Sequence, residues 1–464
     1  MKQEPQTFQG GGCQNICVPT DQQPDITILD WQLLPSVDSE NLTFLYGLTR
    51  EGIKLDLSVT SEFARLLGEP QNEFSSVHVA GTNGKGSTSA YVYNILRRKY
   101  HTGLYTSPHL VRFNERIVFD RELIPDKYLE EFVETYKKII MKLGESKRNP
   151  TFFEVTTLLA FKYFAERKAQ YASVEVGLGG RLDSTNIITP EVSIITQIGF
   201  EHADKLGCSL TSIAMEKGGI IKPGKPVILG DGKPEVVDAI RRISQVRGSP
   251  LILSWKEATI SDIESDISGS RFVLGTPKNE YRISTSLAGK FQVKNVTNAI
   301  LAIEQMDDLR ITRGQIEKAI AATRWPGRME IIRKDPILMV DCAHNPPAAN
   351  ALAQAFSESH LPEPVLVIGM LSDKDIYSFL HAARKISSRV IFTIPDEPQR
   401  AVPPEKLAEI GRAIFTDVKI IHDPVEAYRT AMESSPITLV LGSMYLVGVV
   451  MAKEKVPVMP FHDD

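Results

Sequence analysis

The sequence predicts an α/β protein with parallel sheets, and three observations carry that prediction. Short β-branched runs alternate with longer helical patterns from residue 41 to about 320. A second series of the same kind begins after Arg324-Trp325-Pro326-Gly327. The first convincing strand also runs directly into a glycine-rich loop, a lysine and a helix. The length, 464 residues, suits two or three domains at about 100–200 residues each.

Taken in order, residues 1–25 are rich in Gln, Gly, Pro and Asp and read as a flexible tail. Cys13 and Cys17 lie in it with no further ligands nearby to complete a metal site, so unpaired thiols are expected. Residues 26–324 form the first large unit. Phe74–Ala80 reads as a strand, Thr88–Tyr100 as a helix, and Tyr171–Val176 and Val192–Gln197 as further strands. The Trp-Pro-Gly turn marks a boundary, and residues 325–464 form a smaller Rossmann-like α/β unit. Its strands are expected at Ile337–Asp341, Pro364–Ile368, Arg389–Ile394, Val418–Ile421 and Ile437–Leu441. Helices are expected between them at Pro347–Ser357 and Ile376–Ile386.

Composition narrows the function. Apolar residues make up 42% and charged residues 24%, which excludes wholesale disorder, collagen-like repetition and a disulfide scaffold. With 53 basic and 57 acidic residues the net charge is −4, so no basic field exists to hold nucleic acid. Four cysteines form no framework and suit a reducing compartment. The most apolar stretch, Ile437 to Ala452, is interrupted by glycines and is shorter than the roughly 20 residues of a membrane helix. No apolar run opens the chain, so no secretory signal is read there. A cytoplasmic monomer acting on small molecules is the expectation.

The segment His78-Val79-Ala80-Gly81-Thr82-Asn83-Gly84-Lys85-Gly86-Ser87-Thr88 sits between strand and helix. Its glycines let backbone N–H groups surround phosphate oxygens, the helix N-terminus adds positive charge, and Lys85 reaches the outer phosphates. A hydroxyl just beyond the lysine, Ser87 or Thr88, is placed to ligate Mg²⁺. The spacing departs from the usual G-x-x-x-x-G-K-[ST] loop, because Val79 stands six before Lys85 and Gly86 separates the lysine from Ser87. Other polar segments follow strands: Thr106-Ser107-Pro108-His109-Leu110, Gly177-Leu178-Gly179-Gly180-Arg181-Leu182-Asp183, and Gly199-Phe200-Glu201-His202. Open α/β sheets bind ligands at such strand ends. Glu154 opens an apolar helix, where a lone carboxylate ordinarily serves only to complement the helix dipole.

The loop resembles the G-T-N-G-K-G-S segment of the Mur ligase superfamily, and within it the FolC-type folylpolyglutamate and dihydrofolate synthases. The resemblance runs in consistent order from about residue 41 to 448. It implies a P-loop NTPase-like Mur ligase central domain with a parallel sheet and a C-terminal Mur ligase domain. It implies an ATP-dependent ligase that joins L-glutamate to a dihydropteroate or reduced folate carboxylate through an acyl phosphate. By the same resemblance, Gly81 to Thr88, Gln292, Asn295, Arg328 and Asp341 bind ATP. Ser87, Glu154, His202 and Lys217 hold two Mg²⁺ ions, with Lys217 as a carbamate formed from CO₂. Ser107, Pro108, His109, Arg181, Asp183 and Ser443 face the substrates, and Lys85, Lys217 and His344 are catalytic. Four departures are visible: Glu201 stands where many relatives have Asp, Gly218 where the usual residue is Ala, Cys342 where relatives often carry Gly or Val, and Asp56-Leu57-Ser58-Val59-Thr60-Ser61 replaces their D-L-G-L-E-R.

Three rival readings remain at this stage. A Mur-type ligase for another acid would differ in substrate alone, and Gly86 with Ser107-Pro108-His109 favours the folate branch. A non-catalytic ATP-binding regulator needs none of Glu154, His202 and Lys217. A P-loop kinase gives the second α/β unit no task.

Overall fold

The computed structural model describes residues 40–462 apart from 53, 55, 147 and 398. The tail at 1–25, with Cys13 and Cys17, lies outside the described residues. The first sheet has eight strands: β1 (Ser75–Ala80), β2 (Thr102–Tyr105), β3 (Ile117–Phe119), β4 (Glu122–Leu123), β5 (Tyr171–Glu175), β6 (Val192–Ile195), β7 (Val227–Leu229) and β8 (Leu251–Leu253). Their order is β4-β3-β2-β5-β1-β6-β7-β8. From β2 to β8 every pairing is parallel, and β3 and β4 add an antiparallel edge. Helices cover both faces, so β1, reading Ser-Ser-Val-His-Val-Ala, is buried along nearly its whole length. The strand lies between β5 and β6, which makes its C-terminal end the point where strand order reverses. That is the place an open sheet offers a ligand.

One region departs from the expected alternation. Residues 259–285 form a separate antiparallel sheet of β9 (Thr259–Asp266), β10 (Gly269–Gly275) and β11 (Glu280–Thr285). The polar run Thr-Ile-Ser-Asp-Ile-Glu-Ser-Asp of β9 is exposed almost throughout, so it carries little burial pattern to read. Along β11 exposed and buried positions alternate strictly. The buried side chains, Tyr281 and Ile283, join Phe272 and Leu274 under the helices Phe291–Glu304 and Arg313–Ala321.

The third sheet comprises β12 (Glu330–Lys334), β13 (Ile337–Val340), β14 (Val365–Ile368), β15 (Arg389–Phe392), β16 (Asp417–Ile420) and β17 (Ile437–Leu441). Its order is β12-β13-β17-β14-β15-β16, parallel except for the edge strand β12. Residues 460–462 of this half pack back on the first. Arg324 N donates to Pro460 O and His462 N to Ala322 O. Phe461 is buried against Tyr93, Leu104 and Val118, with the Arg97 guanidinium 4.1 Å from its ring centre. Among the described residues no helix is long and apolar enough to cross a membrane.

Candidate active site

The C-terminal ends of the first and third sheets face one cavity of about 820 Å³. Its floor is the loop after β1. Thr82 N–H donates to Gln197 O at 2.8 Å, and the Thr82 hydroxyl accepts from Gly199 N–H at 3.0 Å, which ties the loop to the end of β6. Gly84 has φ +88°, and a Cβ there would fall 2.5 Å from Asn295 Oδ1, so only glycine serves. A Cβ on Gly86 would meet the Trp325 indole at 2.7 Å, so the hinge tryptophan lies directly on the loop. The helix Lys85–Leu96 then points its N-terminus into the cavity. Lys85 Nζ rests 3.3 Å from Thr82 O, and Gln292 Nε2 lies 3.5 Å from Ser87 Oγ. Asn295 Nδ2 donates to Gln292 Oε1 at 2.8 Å.

Acidic and basic groups ring this loop. Glu175, the last residue of β5, is buried and accepts Ser107 N–H at 3.3 Å. Burial raises its carboxyl pKa against the opposing charge of Lys85. Lys217 is 4% exposed and donates from Nζ to Gly81 O at 2.7 Å. Burial first, and then the neighbouring Lys85 charge, lower its amine to about 7. His202 and Glu201 line the same wall. Burial opposes ionisation of Glu201, but its bond to His344 and the charges of Lys85 and the two histidines hold its carboxyl well below the usual range.

The second half contributes from across the cleft. Arg328, Asp341, His344 and Ser443 all line the cavity. Asp341 accepts Met329 N–H at 2.8 Å and Ala343 N–H at 2.7 Å, which fixes the turn carrying Arg328. His344 Nε2 reaches Glu201 Oε1 at 3.3 Å and Asn345 Nδ2 reaches Asn83 Oδ1 at 3.2 Å, so the halves touch beside the loop. Cys342, next to Asp341, is buried and its thiol is pushed up to about 12, which leaves it inert.

Several expected residues lie elsewhere. Glu154 does not line the cavity: it sits at the start of the helix Phe152–Glu166. Arg148 grips both its oxygens at 2.8 Å, while Thr151 N–H and the Thr60 hydroxyl donate to it as well. A carboxylate so engaged has no lone pairs aimed at a ligand. The segment Asp56–Ser61 packs here too, with Asp56 3.5 Å from Arg148. His109 is turned inward, accepting from Arg116 Nε at 2.9 Å, although Ser107 and Pro108 do face the cavity. Arg181 points outward and pairs with Glu216 at 2.8 Å. Asp183 is buried behind the glycine run, accepting Leu178 N–H at 2.8 Å and Thr185 N–H at 3.0 Å. Gly81 and Thr88 flank the loop without lining the cavity; Gly81 holds Lys217 through its carbonyl.

Glu175, Lys374 and Arg400 also line the cavity, although no sequence motif points to them as site residues. Glu175 had a readable signal: a carboxylate ending a strand two residues before Gly177-Leu178-Gly179-Gly180. For Mg²⁺ the donor chemistry fits, since Ser87 Oγ and the Glu175 carboxylate are hard oxygen donors lining the cavity beside the loop. Among the described residues no group of three or more His, Cys, Asp or Glu could enclose a metal ion, so phosphate oxygens and water must complete any shell.

Comparison with known proteins agrees with this architecture. Residues 79–303 match the Mur ligase middle domain and residues 327–444 the Mur ligase glutamate ligase domain. The dihydrofolate synthase/folylpolyglutamate synthase of Bacillus subtilis is 30% identical over 423 residues, covering 89% of this chain and 98% of that protein. The structure of Mycobacterium tuberculosis folylpolyglutamate synthase complexed with ADP superimposes with a TM-score of 0.83 at 29% identity, covering 90% of this chain and 99% of the other. That of E. coli FolC in complex with DHPP and ADP gives 0.78 at 29% identity, covering 91% and 99%. Sequence, fold and the cavity between two facing sheets place this chain in the dihydrofolate synthase/folylpolyglutamate synthase family of Mur ligases.

Proposed function

We propose that the chain is an ATP-dependent ligase that joins the amine of L-glutamate to the carboxylate of a dihydropteroate or reduced folate. The observation that carries this reading is the shared cavity, in which the phosphate loop of one half faces Arg328, Asp341 and His344 of the other. A hydrolase needs a loop, a metal ion and a water. Two facing halves suit a phosphoryl acceptor and a second nucleophile.

Lys85 and the N–H groups of the loop hold the phosphates, and Arg328 approaches from the far side, where charge develops on the transferred group. A substrate carboxylate oxygen attacks the γ-phosphorus and ADP leaves, giving an acyl phosphate. The glutamate amine then attacks the acyl carbon, loses a proton, and phosphate departs as the amide forms. Ser107 and Pro108 stand at the acceptor side. His344 and Ser443 take the glutamate side, where Lys374 and Arg400, both paired with Asp373, leave one net positive charge for a glutamate carboxylate. Trp325 against Gly86 couples the hinge to the loop, so closing the halves excludes water from the acyl phosphate.

Ser87 and Glu175 would hold one Mg²⁺, with Glu175 in the place first given to Glu154, and His202 and Lys217 would hold a second. When bound, the ions neutralise charge between phosphate and carboxylate oxygens. Lys217 keeps an uncharged fraction near neutral pH, which reaction with CO₂ to a carbamate requires.

The test is incubation with Mg-ATP and L-glutamate plus dihydropteroate, tetrahydrofolate or no acceptor. Phosphate release matched to a gain of one glutamyl unit is the expected result, and the acceptor that responds identifies the step. Release that ignores both acceptors would overturn the folate reading.

A further inference from the structure

Residues 456–462 leave the second half of the molecule and finish in the first. After the helix Met444–Lys453, Val456 packs against the core that holds Val340 and Val447. Met459 and Phe461, a few positions on, pack instead with Leu104, Val118 and Tyr93 of the phosphate-loop helix. Phe461 is 5% exposed, and the Arg97 and Arg121 guanidinium carbons lie 4.1 Å and 5.3 Å from its ring centre. A buried ring under two cations is an anchor rather than a trailing end. The chain therefore crosses between the halves twice, once at the hinge and once as this strap.

The strap lies along the hinge itself. Arg324 N–H donates to Pro460 O at 3.1 Å and His462 N–H to Ala322 O at 2.9 Å, with Thr323 opposite Phe461 in an antiparallel bridge. The Arg324 guanidinium donates to Pro457 O and Met459 O and pairs with Glu330. The other Glu330 oxygen accepts Gly327 N–H at 2.8 Å. From the first half, Asn94 Nδ2 donates to Pro460 O at 2.8 Å. The hinge thus enters the second half as one strand of a paired ribbon, which cannot bend before Trp325 without breaking these bonds. Rotation is left to Pro326 and Gly327, the latter at φ +71°. Trp325 itself packs on the cluster that holds Phe461, and its indole lies against Gly86 of the phosphate loop.

We propose that Phe461 is a positioning residue for phosphoryl transfer: it anchors the strap that keeps Trp325 on the phosphate loop, and so sets where Arg328 meets the outer phosphate. This rests on the reading that the cavity takes ATP. Phe461 does not line the cavity and acts through Trp325. A loosened strap lets the hinge leave its seat, and a displacement of about 1 Å far from the chemistry can cost about a hundredfold in rate. A nucleotide without a third phosphate, held by the loop and its helix N-terminus, loses least.

The experiment is calorimetric titration of the whole protein, with Mg²⁺, by ADP and by AMPPCP, alongside ligase turnover. In Phe461→Ala the affinity for AMPPCP relative to ADP should fall about tenfold, the worth of one charge-assisted contact to the third phosphate. ADP should bind nearly as before, which also shows that the variant is folded. Turnover should fall by about a hundredfold. Phe461→Leu, which keeps an apolar anchor, should restore most of the affinity ratio. A ratio that Phe461→Ala leaves unchanged, or that Phe461→Leu fails to restore, overturns the proposal. Hydrogen exchange on the unaltered protein needs no variant: the Arg324 and His462 amides should exchange as slowly as those of β1 with or without AMPPCP, and rapid exchange there also overturns it. Failure of the unaltered protein to bind either nucleotide would instead remove the ATP reading itself.

Discussion

The start of the helix Phe152–Glu166 and the end of β5 each carry a buried glutamate, and the two are used in opposite ways. Glu154 is surrounded by donors: the Arg148 guanidinium, Thr151 N–H and hydroxyl, and the Thr60 hydroxyl. Glu175 accepts one long bond from Ser107 N–H and looks into a cavity beside Lys85, with its carboxyl pKa raised by burial. A satisfied carboxylate stabilises the fold, whereas an under-satisfied one at a strand end is held ready for a ligand. What separates them is whether the partners come from the protein or must come from outside.

The sharpest way to break this contrast is Glu175→Gln. It should cut ligase turnover by about a hundredfold, measured as acceptor-dependent phosphate release, because losing a direct metal ligand should cost no less than losing the outer partners of a metal site. Thermal unfolding should show no loss, since the change removes a poorly compensated buried charge. Normal turnover would return the role to another carboxylate.

Lys217 offers the next largest effect. Protein stripped of CO₂ should regain activity on adding bicarbonate, and the gain should rise between about pH 6 and about pH 8. The sign follows from its lowered pKa of about 7: the neutral amine that CO₂ needs is scarce below that value and predominates above it. Lys217→Ala should show no bicarbonate response at any pH. A full response in that variant sinks the carbamate.

Glu154→Gln sharpens the other side. Breaking its pair with Arg148, which is 23% exposed, should cost about 2 kcal/mol in denaturant unfolding, below the full value for a deeply buried pair. The KM for ATP should not move. Lost turnover at unchanged stability would reverse the assignment. The smallest effect belongs to Thr151→Ala, which removes the N-cap of that helix and should cost about 1 kcal/mol with turnover intact.

Much of the frame was legible because it is local. The expected strand Phe74–Ala80 is Ser75–Ala80, and Ile437–Leu441 is found as expected. The expected helix Pro347–Ser357 is Pro346–Glu358, capped by Asn345 through Ala348 N–H. The sheet β9-β10-β11 was missed because Thr259–Asp266 is exposed along most of its length and offers no apolar stripe. In the site, Lys85, Ser87, Lys217, Arg328 and His344 do meet in one cavity, whereas Glu154, His109, Arg181 and Asp183 bond within the protein instead.

By itself the sequence determined where strands turn into loops, that glycines and a lysine follow β1, and that a second α/β series succeeds Trp325. Periodicity, propensity and glycine chemistry act over a few neighbouring residues, so they can be read in one dimension. Tertiary structure alone decided that Glu175 faces the nucleotide loop while Glu154 faces Arg148. It also decided that His344 crosses the cleft to Glu201. A polar side chain's role is set by the groups that reach it once it is buried, and those arrive from residues far along the chain, 143 positions away in the case of His344 and Glu201.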